Sequence, residues 1–524
     1  MNVEITLKNY RCFPDTSPAT FTVRTGMTAF VGANNSGKSA LLKFFYEFRN
    51  LFANLANIGP LRDGITSQIT FTPAGIQDQR ELFTRSNSRD LNMRFKCLYE
   101  SDSHEPRSIT LNVTVPHGTN IAQLDLTLES GEVVNNQTTV AAVDTSLLAP
   151  GQERQEMHEA LQMFQALSRT RYIGAFRNAI NAGENEDYFD MKTGQSFIRD
   201  WRRRQTGSNT AQNEAVYALT EDVRRIFELD DLRINASEDE KTLQLFVNGE
   251  SRKLGEVGSG LAQFVLVLGS VAFEQPSFIL IDEPELNLHP SLQLDFLTTV
   301  AGYTTDGVLF STHSVGLAKS AADWSYALQR RGEGESVLTE YDRAPNLAEF
   351  LGELSYSGYR DLTFEKLLFV EGRTDIKAIH QFLRLYGKAH KVVLVPLGGS
   401  AMINPSAEWE LSEIARITDE VEVLIDSERS ARDDDLSKER QGFVDICGKL
   451  KVPCNVMERR ALENYLSDSA IKNQMGVRFK ALEPYEKLED MDSRWRKSEN
   501  WRIANKMSLS DIESTDLGRF FDSL

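Results

Sequence analysis

The chain has 524 residues, 41% of them hydrophobic and 26% charged, and carries a net charge of −18 at pH 7. That length exceeds one ordinary hydrophobic core and implies about two to four domains, while no apolar run approaches the ~18 residues that cross a bilayer, so no membrane association is expected. The four cysteines, Cys12, Cys97, Cys447 and Cys454, have neither C-x-x-C spacing nor the density of a disulfide scaffold; with an N-terminus that lacks a signal peptide's apolar stretch, they point to free thiols in the cytoplasm.

Residues 3 to 31 read as short strands ending in Thr28-Ala-Phe-Val31. A glycine-rich loop follows, then an apolar helix through Leu41, Leu42, Phe44, Phe45 and Phe48. From about 60 to 250 the pattern changes to alternating strands such as Thr110–Val115 and Leu124–Leu128, with a turn at Glu129–Glu132 and a helical stretch from about 152 to 228. This region is expected to be an insertion, an antiparallel lobe plus a helical arm that mediates dimerisation. The continuous apolar runs Phe278–Ile281 and Val308–Phe310 suit strands buried on both faces of a parallel sheet. A second strand–helix series, with Leu367–Val370, Val392–Val395 and Val423–Ile425, follows a boundary expected near 345 to 362.

Gly32-Ala-Asn-Asn-Ser-Gly-Lys-Ser39 fits the phosphate-loop pattern without a mismatch. The backbone N–H groups from Asn34, Asn35, Ser36 and Gly37 would wrap phosphates, Lys38 would reach the terminal oxygens, and Ser39 would ligate Mg²⁺. Asp282 closes an apolar strand where a carboxylate can hold Mg²⁺, and Glu283 is placed to orient or deprotonate water. Farther on, Glu371 ends one strand, Asp375 begins the next helix, and Asp426 and Glu428 follow another strand. Carboxylates at one edge of a parallel sheet can gather divalent ions that activate water and neutralise a phosphodiester in transit.

A net negative charge demands that any nucleic-acid contact rest on local cations. Arg199-Asp-Trp-Arg-Arg-Arg204 and Arg459-Arg460 are the candidate clusters; a solvated helix face is the plainer reading of the first.

Asn9-Tyr-Arg-Cys-Phe13, Asp282-Glu-Pro-Glu-Leu-Asn-Leu-His-Pro290 and Ser311-Thr-His313 resemble the ABC-type ATPases that include RecF, SMC and OLD (overcoming lysogenization defect) proteins. The resemblance makes His313 the histidine that senses the γ-phosphate. It also makes Gly255-Glu-Val-Gly-Ser-Gly260 a degenerate signature motif whose Ser259 and Gly260 contact ATP on a second copy, implying a homodimer or higher oligomer. Glu371-Gly-Arg-Thr-Asp375, a Gly398-Gly399 turn and Asp426-Ser-Glu428 resemble the Toprim domain of topoisomerases, primases and OLD nucleases, with glutamate replacing the second aspartate of the usual pair. By the same resemblance Glu463, in Glu463-Asn-Tyr465, supports a second metal, and Lys497 supplies transition-state charge, with Lys506 the alternative.

The expected fold class is therefore α/β: an ABC-type P-loop ATPase domain over 1–350 with inserted antiparallel and helical segments, a Rossmann-like Toprim domain over 361–470, and a C-terminal helical segment over 471–524. The resemblance implies an ATP-regulated, divalent-metal-dependent DNA endonuclease or nickase acting in anti-phage defence, using ATP and Mg²⁺, with Mn²⁺ or Ca²⁺ as alternatives at the Toprim site. Glu283, His313, Glu371 and Lys497 are its catalytic candidates. Asp282, Ser39, Glu371, Asp375, Asp426, Glu428 and Glu463 are its metal candidates. The alternative is an SMC- or RecF-like ATPase that clamps DNA, or senses phage, and controls a partner protein without cutting.

Overall fold

Six strands form the sheet that carries the phosphate loop, in the order Arg171–Ile173, Phe278–Asp282, Gly307–Thr312, Gly26–Gly32, Trp324–Arg331 and Glu335–Glu340. The first five run parallel and the last is antiparallel. The structure is a computed structural model and describes residues 2–100, 106–127, 133–137, 140–148, 155–175, 189–192, 194–272, 274–286, 288, 290–331, 334–341, 366–389, 391–397, 420–491 and 494–524. The chain divides into two units: Met1–His289 with Thr299–Ser314 and Trp324–Asp342, and Pro290–Thr298 with Val315–Asp323 and Arg343–Leu524.

Within the first unit, helix Lys38–Glu47 leaves the phosphate-loop strand and is apolar on the face carrying Leu41, Leu42, Phe44 and Phe45. Phe44 lies at the centre of an aromatic cluster, with ring centroids 5.7 Å from Tyr10, 5.3 Å from Phe48 and 5.7 Å from Phe52. Edge-on ring pairs of this kind add to the burial of their area. The far end of the helix is held by a buried polar knot. Tyr10 donates its hydroxyl hydrogen to Glu47 at 2.8 Å, and Arg11 forms an ion pair with the same carboxylate. A glutamate at a helix C-terminus opposes the macrodipole, so Arg11 supplies the compensating charge. Burial pushes both the Tyr10 hydroxyl and the Glu47 carboxyl above their ordinary ranges, and the Arg11 charge opposes the rise at each.

The alternating strands expected as an inserted lobe are not separate from the N-terminus. Leu91–Glu100 pairs antiparallel with Asn2–Lys8, which also pairs with Ala19–Arg24, and Pro106–Val115 and Ile121–Thr127 extend the same sheet. One hydrophobic cluster joins this sheet, the phosphate-loop helix and parallel-sheet residues such as Leu280 and Leu309. Local alternation marks a strand but leaves its partner open, which is why the sequence reading separated what pairing unites.

The helical stretch also divides. His158–Ser168 packs into this cluster through Met163, Phe164 and Leu167, whereas Gly194–Thr206 and Thr210–Ile226 pack on each other and on Ser259–Val271. Gly269 permits that approach: a Cβ there would lie 2.7 Å from Phe197 and 3.1 Å from Trp201. Trp201 is thus buried. Its arginine neighbours are largely engaged, Arg203 and Arg204 with Asp200 and Arg202 with Glu240. The cluster read as a phosphate-facing candidate is mostly satisfied internally.

In the second unit, Val392–Pro396, Lys366–Val370, Val421–Ile425 and Cys454–Val456 form an all-parallel sheet in that order. Its core includes Phe369, Val395, Val423, Ile425 and Phe443. Helix Arg373–Leu385 packs against Asn500–Ala504, and Phe382 and Phe521 stand 5.8 Å apart. The Glu129–Glu132 turn, the boundary at 345 to 362 and the Gly398-Gly399 turn lie outside the described residues.

Phe44→Ala removes the ring shared by these contacts and is expected to cost about 3–5 kcal/mol. Urea unfolding followed by tryptophan fluorescence measures this; a loss below about 1 kcal/mol would contradict a packed aromatic centre.

Candidate functional site

Parallel register assembles the first site. Asp282 lies level with Ser311, and Thr312 lies level with Val31, so His313 follows beside the start of the phosphate loop. The loop enters helix Lys38–Glu47 through Gly37 at φ 99°, with Asn35 also left-handed at φ 61°. Glycine and asparagine are among the residues that reach this region with least strain. Lys38, only 4% exposed, donates to the Gly32 carbonyl at 2.9 Å and the Ala33 carbonyl at 3.1 Å. Burial lowers its pKa, opposed by the negative charges of Glu283, Asp282 and Glu285.

Asp282 accepts a hydrogen bond from the Ser311 hydroxyl and another from Tyr172 at 3.3 Å. Glu283 has φ 54°, an uncommon conformation for a non-glycine residue. Its N–H donates to the Ser311 carbonyl at 3.1 Å, and its carboxylate lies 2.9 Å from His313 Nε2. Lys38 Nζ lies 3.4 Å from His313 Nδ1 and 3.2 Å from Nε2. Because an ionised carboxylate can only accept, the tautomer consistent with the Glu283 contact carries its hydrogen on Nε2, which leaves Nδ1 as the acceptor for Lys38. Glu285 accepts from the Thr312 hydroxyl at 2.8 Å and the His313 N–H at 2.9 Å, which ties the turn after Asp282 to the neighbouring strand. Tyr172 and Glu285 were not assigned roles from the sequence; Glu285 lies within the quoted motif, but nothing local marks Tyr172.

These residues fit a nucleotide triphosphate with its Mg²⁺. Ser36 is buried with its hydroxyl unpartnered, and the loop opens a helix whose first N–H groups lack intrahelical acceptors. Asn34 and Asn35 are exposed, and Ser39 stands in the first helical turn beside Lys38. Ser259 is exposed and Gly260 half-buried at the start of Ser259–Val271.

The second unit brings four acidic groups into one electrostatic neighbourhood. Glu371 and Asp426 follow adjacent parallel strands, since Val370 lies level with Leu424. The Asp426 N–H donates to Glu371 at 3.3 Å. Asp375 accepts from the Gly372 N–H at 2.8 Å, and Asp426 from the Leu462 N–H at 3.2 Å. Burial, followed by the charge of Glu463, pushes Asp375 up to about 7. Burial and then Asp375, Glu371 and Glu463 push Asp426 well above the carboxylate range. Lys497 forms a 2.9 Å ion pair with Glu463. Burial alone would depress its ammonium, but Glu463, Asp426 and Asp375 reverse the sign and hold its pKa up.

Two more of the predicted carboxylates have basic partners. Arg440 grips both Glu371 oxygens at 2.9 Å each, and Glu428 forms an ion pair with Arg460. Glu428 therefore sits on Arg460, and Arg459 lies over the Tyr465 ring at 4.9 Å. Among the described residues, no three His, Cys, Asp or Glu side chains form a ready-made metal cage. The charge of Glu463 raises the cost of ionising Asp375, and both raise that of Asp426. Sequence reading did not identify Arg440, because its partner lies 69 positions away.

Residues 1–141 match the family described as "AAA ATPase domain", and residues 159–319 match "AAA domain, putative AbiEii toxin, Type IV TA system". The chain carries an AAA-type ATPase domain. No curated protein matches the chain. Among solved structures, an SmcHead bound to the C-winged helix domain of ScpA is 11% identical, covering 64% of this chain and 96% of that one at a TM-score of 0.36. An SMC head domain from Thermotoga maritima is 15% identical, with coverages of 66% and 100% and a TM-score of 0.32. An Smc head domain with an extended coiled coil, bound to the C-terminal domain of ScpA and derived from Pyrococcus furiosus, is 11% identical, with coverages of 68% and 98% and a TM-score of 0.34. No described helix is long and apolar enough to cross a membrane.

For the ATPase domain, Glu283→Gln removes the carboxylate beside His313 and is expected to slow ATP hydrolysis by about 10²–10⁴-fold. Phosphate release and nucleotide binding, measured in parallel, should show turnover falling while ATP affinity changes little.

A second expectation concerns pH. The folded-state pKa of Asp375 is raised, so its ionisation penalty is absent below the unfolded value near 4, grows toward about 7 and is complete above that pH. A divalent ion that needs ionised oxygens should stabilise the protein more at pH 8 than at pH 5.5. Thermal melts with and without Mn²⁺ should show this difference, and Asp426→Asn should remove it.

Proposed function

We infer that the chain is an ATP-regulated, divalent-metal-dependent DNA endonuclease or nickase, in the manner of the OLD family, with its second unit serving as a Toprim nuclease domain. The observation that carries this reading is the edge of the second parallel sheet, where Glu371 and Asp426 follow adjacent strands and touch through the Asp426 N–H, with the Lys497–Glu463 ion pair at 2.9 Å. Acids gathered at one edge of a parallel sheet beside a lysine suit metal-assisted chemistry on a phosphodiester. A bound divalent ion would supply Lewis acidity and lower the pKa of water. Asp375, Asp426 and Glu463 would hold it, while Lys497 would stand ready to face developing negative charge.

The ATPase domain would control access to this site. Exposed Ser259 and half-buried Gly260 at a helix N-terminus support the proposal that they meet nucleotide bound by a second copy, giving a homodimer or higher oligomer. The matched description that includes a toxin is in keeping with a damaging activity in anti-phage defence. DNA is accordingly the proposed substrate, with Mg²⁺ the proposed ion at both sites and Mn²⁺ or Ca²⁺ as alternatives at the second.

Supercoiled plasmid incubated with the protein and Mg²⁺ or Mn²⁺, with and without ATP, should yield nicked or linear DNA. Asp426→Asn should reduce cutting by at least about 10²-fold while ATP turnover persists. Equal cutting by this variant, or intact plasmid under every ion and nucleotide condition, would refute the nuclease reading; ATP-dependent retention of intact plasmid would favour the DNA-clamp alternative.

A further inference from the structure

Tyr172 stands on the short strand Arg171–Ile173 at one edge of the phosphate-loop sheet, level with Leu280 of the parallel neighbour Phe278–Asp282. Side chains at one level of adjacent strands share a face, and so do residues two apart along a strand. Leu280, Asp282 and Tyr172 therefore project to the same side. Tyr172 is buried, and its hydroxyl donates to one Asp282 oxygen at 3.3 Å while Ser311 donates to the other. Neutral donors on both oxygens fix the plane of the carboxylate without cancelling its charge.

Tyr172 is itself held from several directions. Its N–H donates to the Asp190 carboxylate at 2.7 Å. Arg49 grips both Asp190 oxygens, at 2.6 and 2.5 Å, and donates to the Thr170 carbonyl at 2.9 Å just ahead of the strand. The phenol ring packs against Tyr46 and Phe189, with centroids 5.8 and 4.8 Å away. Tyr46 belongs to the helix that begins with Lys38 and Ser39, so the ring that bonds Asp282 is seated against the phosphate-loop helix. A buried tyrosine needs a partner for its hydroxyl. Here that partner is the acid placed to meet the nucleotide's cation, and a carboxylate in that role depends on outer groups to orient it.

We propose that Tyr172 is a positioning residue of the ATP site, which orients Asp282 toward the Mg²⁺ that accompanies the nucleotide. Its contribution is to the cation rather than to the phosphates, which the loop and Lys38 hold on the other side of the helix start. The inference rests on Asp282 as the residue that meets Mg²⁺, and it is independent of whether the second unit cuts DNA.

The test is equilibrium binding of a fluorescent N-methylanthraniloyl ATP to the full chain, first in EDTA and then across a Mg²⁺ titration. Tyr172→Phe keeps the ring and removes the donor. Its affinity in EDTA should stay within about twofold of wild type, while the Mg²⁺ concentration giving half of the cation-dependent gain should rise about tenfold. Asp282→Asn should raise the same half-point, and adding Tyr172→Phe to it should change nothing further, because the two groups act as one unit. A half-point within threefold of wild type in folded Tyr172→Phe, an equal loss of affinity in EDTA, or the full shift persisting on the Asp282→Asn background would each overturn the assignment. Should Tyr172→Phe fail to fold, Arg49→Lys decides: it keeps the charge but loses the two-pronged grip on Asp190, so a raised half-point supports the proposal and an unchanged one overturns it. An unchanged half-point in Asp282→Asn would sink the reading of Asp282 itself, whereas a shift there without one in Tyr172→Phe would sink the role of Tyr172 alone.

Discussion

Parallel strand register is the constraint on which both candidate sites depend. A parallel sheet places the C-terminal ends of its strands along one edge, so residues just beyond those ends meet although they are far apart in sequence. In the first unit this brings Asp282, Ser311 and His313 alongside the phosphate loop. In the second it brings Glu371 beside Asp426, 55 positions later, close enough for a backbone N–H to reach the carboxylate. A one-residue slip between either pair of strands would turn every alternate side chain to the other face and separate these groups.

Placing charge at such an edge creates a desolvation cost, and the two units meet it differently. The ATPase domain distributes its acidic groups among neutral donors: Ser311 and Tyr172 bond Asp282, while Thr312 and the His313 N–H bond Glu285. Lys38 is left resting on carbonyl oxygens and the His313 ring. That arrangement suits a lysine that must exchange weak protein acceptors for phosphate oxygens. In the second unit full cations are used, Arg440 on Glu371 and Lys497 on Glu463. Asp375 and Asp426 have no such partner of their own in these pairings, and they are the acids with strongly raised pKa values. Acids whose ionisation is disfavoured by burial and by one another are found at functional sites as well as in structural networks.

The sequence revealed those parts whose signal is local. The phosphate loop, the apolar strands Phe278–Asp282, Gly307–Thr312, Lys366–Val370 and Val421–Ile425, and the helix after Glu371 all occur where periodicity placed them. What it concealed depends on pairing across long separations. The strands at 91 to 127 look like an insertion until Leu91–Glu100 pairs with Asn2–Lys8. Four arginines around Trp201 read most plainly as a solvated helix face, yet Gly269 admits the indole to the interior and Asp200 binds two of its neighbours. Glu428 stands in the acidic motif, and its ion-pair partner Arg460 lies 32 positions further on. Local pattern identifies the residue types that chemistry needs, but only tertiary contacts decide which charges remain unspent.

That distinction bears on how an acidic chain could handle a polyanion. With a net charge of −18 and its two arginine clusters largely engaged in internal contacts, long-range steering by protein cations is a weak source of attraction, and salt would screen it over about 10 Å. Short-range, desolvated charge is different, because the surrounding low dielectric strengthens it and counter-ions cannot enter. Lys38 in the ATPase domain is a group of that kind, and a divalent ion seated among Asp375, Asp426 and Glu463 beside Lys497 would be another. The overall acidity of the chain is therefore compatible with phosphate chemistry at both sites, provided that the attraction originates within the sites themselves rather than from the surface around them.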